Sequence, residues 1–319
     1  MSDLALAVFA SETGTHLVRP PRAERWRAFQ RRFDERAYLG RLAAEDLRFL
    51  PRSAPGFPGL LRAIHDPPAG LFLRGAGKPE VLAQPAVAIV GARACSGYGS
   101  SVARSLAREL AGAGLVVVSG LARGIDAEAH RGALEANGTT VAVLGCGIDR
   151  DYPAAHAELA RRVADSGLIV SEYAPGVEPA PWRFPARNRI VAGLCAATVV
   201  VEARERSGAL ITADLALEEG REVFAVPGEI TSALSAGTNA LLKLGAAPLT
   251  RAADVLASFG IVPEPVPTEH SPLLGLLPAS ADELVRRTGL GADEVARALV
   301  ELELEGRVVG SDGVYRRAS

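Results

Sequence analysis

Several short segments of this 319-residue chain combine glycine with arginine or a hydroxyl, a set suited to holding phosphates rather than to breaking bonds. Gly91 and Arg93 lie in "GARACSGYG", Ser119, Gly120 and Gly124 in "SGLARGID", and Gly145 opens "GCGIDRDYP". Arg187, Asn188 and Arg189 stand in "FPARNRI", and Ser207, Gly208 and Thr212 in "ERSGALITA". A guanidinium fork meets phosphate oxygens in pairs. Glycine lets main-chain amides approach an anion beside a helix start.

Each segment follows a short, continuously apolar run. The runs are "AVAIVG" at 86–91, "LVVVSG" at 115–120, "TVAVLG" at 140–145, "LIVSE" at 168–172, "TVVVEA" at 198–203 and "EVFAVPG" at 222–228. Helical stretches at 101–113, 125–137 and 154–165 alternate with them. Such alternation predicts a mostly parallel sheet covered on both faces, an extended Rossmann-like, doubly wound α/β fold. Ligands of open α/β sheets sit beyond the carboxyl ends of the strands, so these segments are expected on one rim.

Arg187 and Arg189 pose a puzzle, because the pattern predicts a helix whose first turn contains both. Cations there are unfavourable by a few tenths to about 1 kcal/mol. Bound phosphates would offset that cost. The alternative is that they pair with Glu172, Glu202 or Asp126 and lock the loop.

Bond-breaking machinery is not evident. Ser119, Ser171 and Ser207 lack a histidine partner by motif, and no GxSxG, GxGxxG or GxxxxGK[ST] occurs. Asp126 suits a helix cap better than acid–base work, and His130 suits a packed or solvated position. Cys95, Cys146 and Cys195 are isolated, fitting buried thiols in a reducing cytoplasm rather than a disulfide or zinc site. No cofactor, metal or membrane span is expected. Net charge is −2, so anion binding has to come from a local cluster. Tyr173, Trp182 and Phe184 are the aromatics nearest that cluster in sequence, Phe184 suiting the core better.

The pattern divides the chain into helices over 1–55, the α/β domain over 56–260, a proline- and glutamate-rich linker over 261–272, and a small domain over 273–319. In the last, Ser280 fits an N-cap, Gly289 and Gly306 fit C-caps, and a Ser-Asp-Gly turn closes a hairpin, as in a winged helix. Glu294, Glu301, Glu303 and Glu305 make its second helix acidic, favouring protein contact over duplex DNA.

With these motifs in order, the sequence resembles the bacterial DNA-processing protein A family (DprA/Smf). The resemblance extends through "SGLARGIDAEAHRGAL", "LGCGIDRDYP", "SEYAPG", "FPARNRI", "ERSGALITA", "GREVFAVPG" and "GTNALLKLGA". It implies a protein without catalysis that binds single-stranded DNA, often as a homodimer, and helps load the RecA recombinase during natural transformation. It also implies a sterile-alpha-motif-like N-terminal domain and a C-terminal winged helix. The family's pocket arginine falls on Arg93, and its basic-Asn pair on Arg187 and Asn188. His156 stands where many members carry asparagine. Two other readings are weaker. A nucleotide phosphoribohydrolase would carry PGGxGTxxE where this chain has "VPGEITSALSAGTN", and a protein-interaction scaffold whose pocket is a relic would not retard oligonucleotides at moderate salt.

Overall fold

The protein is described by a computed structural model covering residues 2–14, 21, 23–261, 273–304, 307–311 and 313–317. Residues 1–261 form one compact unit and 262–319 a second. The expected linker lies almost wholly outside the described residues, as do Gly306 and Asp312 of the C-terminal expectations.

The first unit begins with α1 (Asp3–Thr13), α2 (Glu24–Arg32) and α3 (Glu35–Ala44), followed by β1 (Leu47–Pro51). Ser2 caps α1 by accepting the Ala5 N–H at 3.1 Å. The α1 helix is apolar almost all round and buried over Leu4–Phe9, as expected for a helix enclosed by neighbours. Trp26 and Phe29 of α2 point inward and join Phe9, Phe33 and Tyr38 in a chain of ring contacts.

These helices do not form a separate domain ending at residue 55. The β1 strand pairs antiparallel with β2 (Gly70–Arg74), in register from Leu47–Arg74 to Pro51–Gly70. The β2 strand then pairs antiparallel with the main sheet. Phe72 of β2 is fully buried against Phe49 of β1 and shares a core with α1.

After α4 (Gly59–Ala63) and β2 come the alternating elements. They are β3 (Ala86–Val90), α5 (Gly97–Gly112), β4 (Val116–Ser119), α6 (Ile125–Glu135), β5 (Thr140–Val143), α7 (Ala157–Ser166) and β6 (Leu168–Ser171). There follow α8 (Arg183–Leu194), β7 (Ala197–Val200), α9 (Gly208–Glu218), β8 (Glu222–Ala225), α10 (Ala236–Lys243), β9 (Ala247–Pro248) and α11 (Ala252–Ser258). The nine strands stand in the order β1-β2-β6-β5-β4-β3-β7-β8-β9, parallel from β6 to β9.

Alternate residues of each central strand face opposite layers. In β3, Val87 and Ile89 pack with α5, α6 and α11, whereas Ala88 and Val90 pack with α4, α8, α9 and α10. The chain fills β4, β5 and β6 on one side of β3 and then crosses to β7 on the other. That reversal opens a crevice at the strand ends, the usual ligand position in such sheets.

The second unit holds β10 (Ala279–Ser280), α12 (Ala281–Thr288), α13 (Ala292–Leu304), β11 (Val308–Ser311) and β12 (Val314–Arg317), its strands ordered β10-β12-β11. Ser280 caps α12 by accepting the Glu283 N–H, and Gly289 ends it at φ 72°. Leu273, Leu284, Val295, Leu299, Leu302 and Val308 form its core. Among the described residues no helix is long and apolar enough to cross a membrane.

Truncating Phe72 to alanine should cost about 3–5 kcal/mol, the usual range for a buried phenylalanine. In denaturant unfolding, a probe on the N-terminal helices and one on the parallel sheet should lose signal at the same lowered midpoint. Separated midpoints would show the helices to be an independent domain.

Candidate functional site

The crevice is a pocket of about 470 Å³ at the ends of β3, β4 and β7, roofed by the starts of α8 and α9. Gly91, Arg93, Gly120, Asp126, Phe184, Arg187, Asn188, Arg204, Arg206, Ser207, Gly208 and Thr212 are among the residues lining it.

Arg187 is its buried centre. The α8 helix starts at Arg183, so Arg187 sits in the second turn rather than the first and largely escapes the N-terminal dipole penalty. Its side chain is 5% exposed. Nη1 donates to the Gly120 carbonyl at 2.7 Å and also to the Val143 carbonyl, while Nε donates to Asn188 Oδ1 at 3.3 Å. Asn188 Nδ2 in turn donates to the Gly208 carbonyl at 3.1 Å, joining α8 to the first turn of α9.

Gly120 is required at this point. A Cβ there would stand 2.5 Å from Arg187 Nη2. Its carbonyl accepts from Arg187 and its N–H donates to Asp126 Oδ2 at 3.1 Å; Ala122 N–H donates to the same oxygen at 3.3 Å. Asp126 is therefore held as a charge balance and loop anchor. Burial pushes its carboxyl upward, and the Arg187 charge opposes this most strongly. For Arg187 the same burial acts downward, Asp126 opposes it, and nearby Arg93 adds to it. An anion entering the pocket would relieve the repulsion between the two guanidiniums.

Arg93 differs in kind. It is exposed, its guanidinium lies 5.5 Å from the Phe184 ring centroid, and it pairs with no carboxylate among the described residues. Arg204 and Arg206, also exposed and without a carboxylate partner among the described residues, complete the rim. Arg206 stands in "ERSGALITA" and Arg204 just before it, so the sequence signal for both is a pair of arginines shortly before a helix cap. Ser207 caps α9 by accepting the Ala209 N–H, while Gly208 remains exposed at the helix start, where first-turn amides lack intrahelical partners.

Four expected site residues lie outside the lining. Arg189 sits two positions from Arg187 on the helix and faces elsewhere. Its Nη1 and Nη2 donate to Glu172 at 3.0 and 2.7 Å, and Nε donates to Asp66 at 3.2 Å. It is a largely buried lock, as the alternative reading allowed. Ser119 Oγ donates to the Ile89 carbonyl at 2.7 Å inside the sheet. Gly124 caps α6 at φ 76°, where a Cβ would stand 2.2 Å from the Ala92 carbonyl. Gly145 instead packs beneath Phe184.

The histidines have other work. Thr140 donates its hydroxyl proton to the Val117 carbonyl at 2.8 Å, so it accepts from His130 Nδ1–H at 2.7 Å. His130 Nε2 is then a buried lone pair without a partner. Burial chiefly, aided by the charges of His156 and Arg187, pushes this imidazole down to about 3. His156 Nδ1 donates to the Leu121 carbonyl at 3.0 Å and pins the loop after β4. Cys146 and Cys195 are buried thiols, and Cys95 is partly exposed. Among the described residues no group of three His, Cys, Asp or Glu side chains is placed to hold a metal ion.

Fold and site together define an open α/β protein with an arginine-rimmed pocket at its topological switch point, joined to a small helix-and-hairpin unit. The family model for DNA recombination-mediator protein A matches residues 48–260, and that for the DprA winged helix domain matches 263–313. Protein Smf of Escherichia coli is 38% identical over 98% of this chain and 87% of its own length. DNA processing protein DprA of Streptococcus pneumoniae is 47% identical over 64% of this chain and 71% of its own.

Among solved structures, DNA processing protein A from S. pneumoniae superposes with a TM-score of 0.66 at 41% identity, covering 73% of this chain and 80% of that one. The protein of the same name from Helicobacter pylori, whose structure is described for a unique single-stranded DNA binding mode, gives 0.60 at 32% identity over 67% and 95%. The chain belongs to the DNA recombination-mediator protein A (DprA/Smf) family, and its C-terminal unit is a winged helix of the DprA type.

Two measurements follow from these side chains. Arg189→Ala removes the guanidinium that balances Glu172 and Asp66 in a partly buried site and should cost about 3–5 kcal/mol in denaturant titration, as breaking a buried pair does; a loss below 1 kcal/mol would deny it a locking role. The unfolded chain protonates histidine below about 6.5, whereas the fold refuses His130 a proton until about 3. This residue's share of stability should therefore be intact above pH 6.5 and fall by up to about 1.4 kcal/mol per pH unit down to 3. His130→Gln should show a shallower loss over that window, and an unchanged slope would refute the assignment.

Proposed function

We propose that this chain binds single-stranded DNA by its phosphates across the rim formed by Arg93, Arg187, Asn188, Arg204, Arg206 and the start of α9. The observation that carries the reading is the contrast between the arginines. Arg187 is fixed by two carbonyls and balanced by Asp126, while Arg93, Arg204 and Arg206 stand exposed around the same opening with no carboxylate ion-paired to them among the described residues. A fixed cation at depth and adjustable cations at the edge suit a chain of phosphates. The family relationship and the single-stranded DNA described for the H. pylori protein support the same ligand.

The site binds rather than catalyses. Within the lining Asp126 is held by two amides, and His130 and His156 lie outside it with main-chain or threonine partners. Delivery of the strand to the RecA recombinase, action as a homodimer and a cytoplasmic setting rest on the family resemblance. In the second unit, Glu294, Glu301 and Glu303 are exposed on α13, which favours a protein partner for it over duplex phosphates.

Arg93→Ala should weaken binding of single-stranded oligonucleotides of any sequence and leave the melting temperature unchanged. It should also reduce the slope of log K against log salt by roughly 0.7, the value of one single-strand phosphate contact. Wild-type affinity and slope in this variant would remove Arg93 from the interface.

A further inference from the structure

One acidic side chain stands where the Arg93 loop meets the segment that carries Arg204 and Arg206. Glu202 follows β7 by two residues and opens that segment. It is 5% exposed and, among the described residues, pairs with neither Arg187 nor Arg189. A carboxylate beside a row of phosphates repels them, so its place there needs another reason.

The reason lies in what Glu202 holds. Its main-chain carbonyl accepts from Ala92 N–H at 2.7 Å, one residue before Arg93. Its side chain takes the other end of the same loop: Ser96 N–H donates to Oε2 at 2.9 Å, and Ser96 Oγ donates to Oε1. Residues 93–95, Arg93 among them, are thus strung between two points of one residue. Ser96 Oγ also accepts from Gly99 N–H at 3.0 Å and so caps α5. Gly99 leaves room for the carboxylate, since a Cβ there would stand 2.4 Å from Oε2.

Glu202 is itself fixed through its neighbours. Val201 N–H donates to the Val90 carbonyl at 3.1 Å. Ala203 N–H donates to the Leu234 carbonyl, and its own carbonyl accepts from Gly237 N–H, both at 2.8 Å. The Arg93 loop is therefore referenced to a rigid point. The positive end of α5 and the Ser96 donors stabilise the carboxylate without an arginine, which leaves the rim arginines their charge for a ligand. A loop fixed beforehand also loses less freedom on binding.

We infer that Glu202 is the positioning residue for Arg93: its carboxylate holds the β3–α5 loop where the Arg93 guanidinium meets a phosphate. The inference rests on the phosphate reading of the pocket. It gives an acid a favourable part in anion binding, opposite in sign to its direct electrostatic effect.

The test is a double-mutant cycle with oligothymidylate, run on the full chain across a salt series. Glu202→Ala should weaken binding roughly 5- to 10-fold, as loss of a charge-assisted hydrogen bond does, and lower the salt slope by roughly 0.7. In the Arg93→Ala background the same substitution should change affinity by less than about 2-fold and leave the slope where Arg93→Ala put it. Glu202→Gln keeps both ties, with Oε1 accepting from Ser96 N–H and Nε2 donating to Ser96 Oγ, and should restore binding. Ser96→Ala cuts the tie from the other side and should repeat the Glu202→Ala pattern, so the test stands even if Glu202→Ala does not fold. Three results overturn the positioning role while the phosphate site stands, given that Arg93→Ala alone weakens binding. They are wild-type or tighter binding by Glu202→Ala, losses that multiply in the double variant, and Glu202→Gln no better than Glu202→Ala. Arg93→Ala with wild-type affinity, or a wild type that binds no oligothymidylate, overturns the phosphate reading itself.

Discussion

The geometry of the pocket depends on one buried guanidinium. Arg187 reaches from α8 across the sheet edge to the carbonyls that end β4 and β5, and Asp126 at the start of α6 supplies the opposing charge. Removing an arginine from water is expensive unless its donors are satisfied and its charge is balanced. Here the Gly120 peptide serves both partners at once, accepting from Arg187 and donating to Asp126. Two helices and two strands are tied at a point where a sheet alone would leave frayed loops. The tie also leaves a fixed positive centre open to the pocket.

Around that centre the fold distributes tasks by depth. Asn188 orients Arg187 and clamps α9, so the exposed start of α9 faces the same opening. Arg93, Arg204 and Arg206 lie at the surface, where long side chains can follow a ligand whose phosphates vary in position. Arg189, on the far side of the same helix, spends its charge on Glu172 and Asp66 and fastens α8 to neighbouring loops. On the proposed reading, the stability of the helix and its capacity to bind thus fall to different arginines.

Much of this was legible in the sequence. Continuous β-branched runs gave six of the parallel-sheet strands, and the glycine-rich segments after them mark the rim. The distinction between Arg187 and Arg189 was also available, since residues two apart on a helix point about 200° from each other. Reading both into the first turn obscured this. The edge strand β1 was hidden because "LRFLP" continues an apolar, helix-like stretch and becomes a strand only by pairing with β2. For the same reason the N-terminal helices read as a separate domain, although Phe72 joins them to the sheet core. Ser119 carries no local mark that its hydroxyl would be used up by the Ile89 carbonyl on a neighbouring strand.

The central claim is that this rim holds a flexible row of phosphates. The most direct measurement is a salt titration of wild-type binding to single-stranded and duplex oligonucleotides of equal length. The account predicts tighter single-strand binding at every salt concentration, with log K falling linearly in log salt at a slope worth several phosphates. Equal or tighter duplex binding, or a slope near zero, would contradict it.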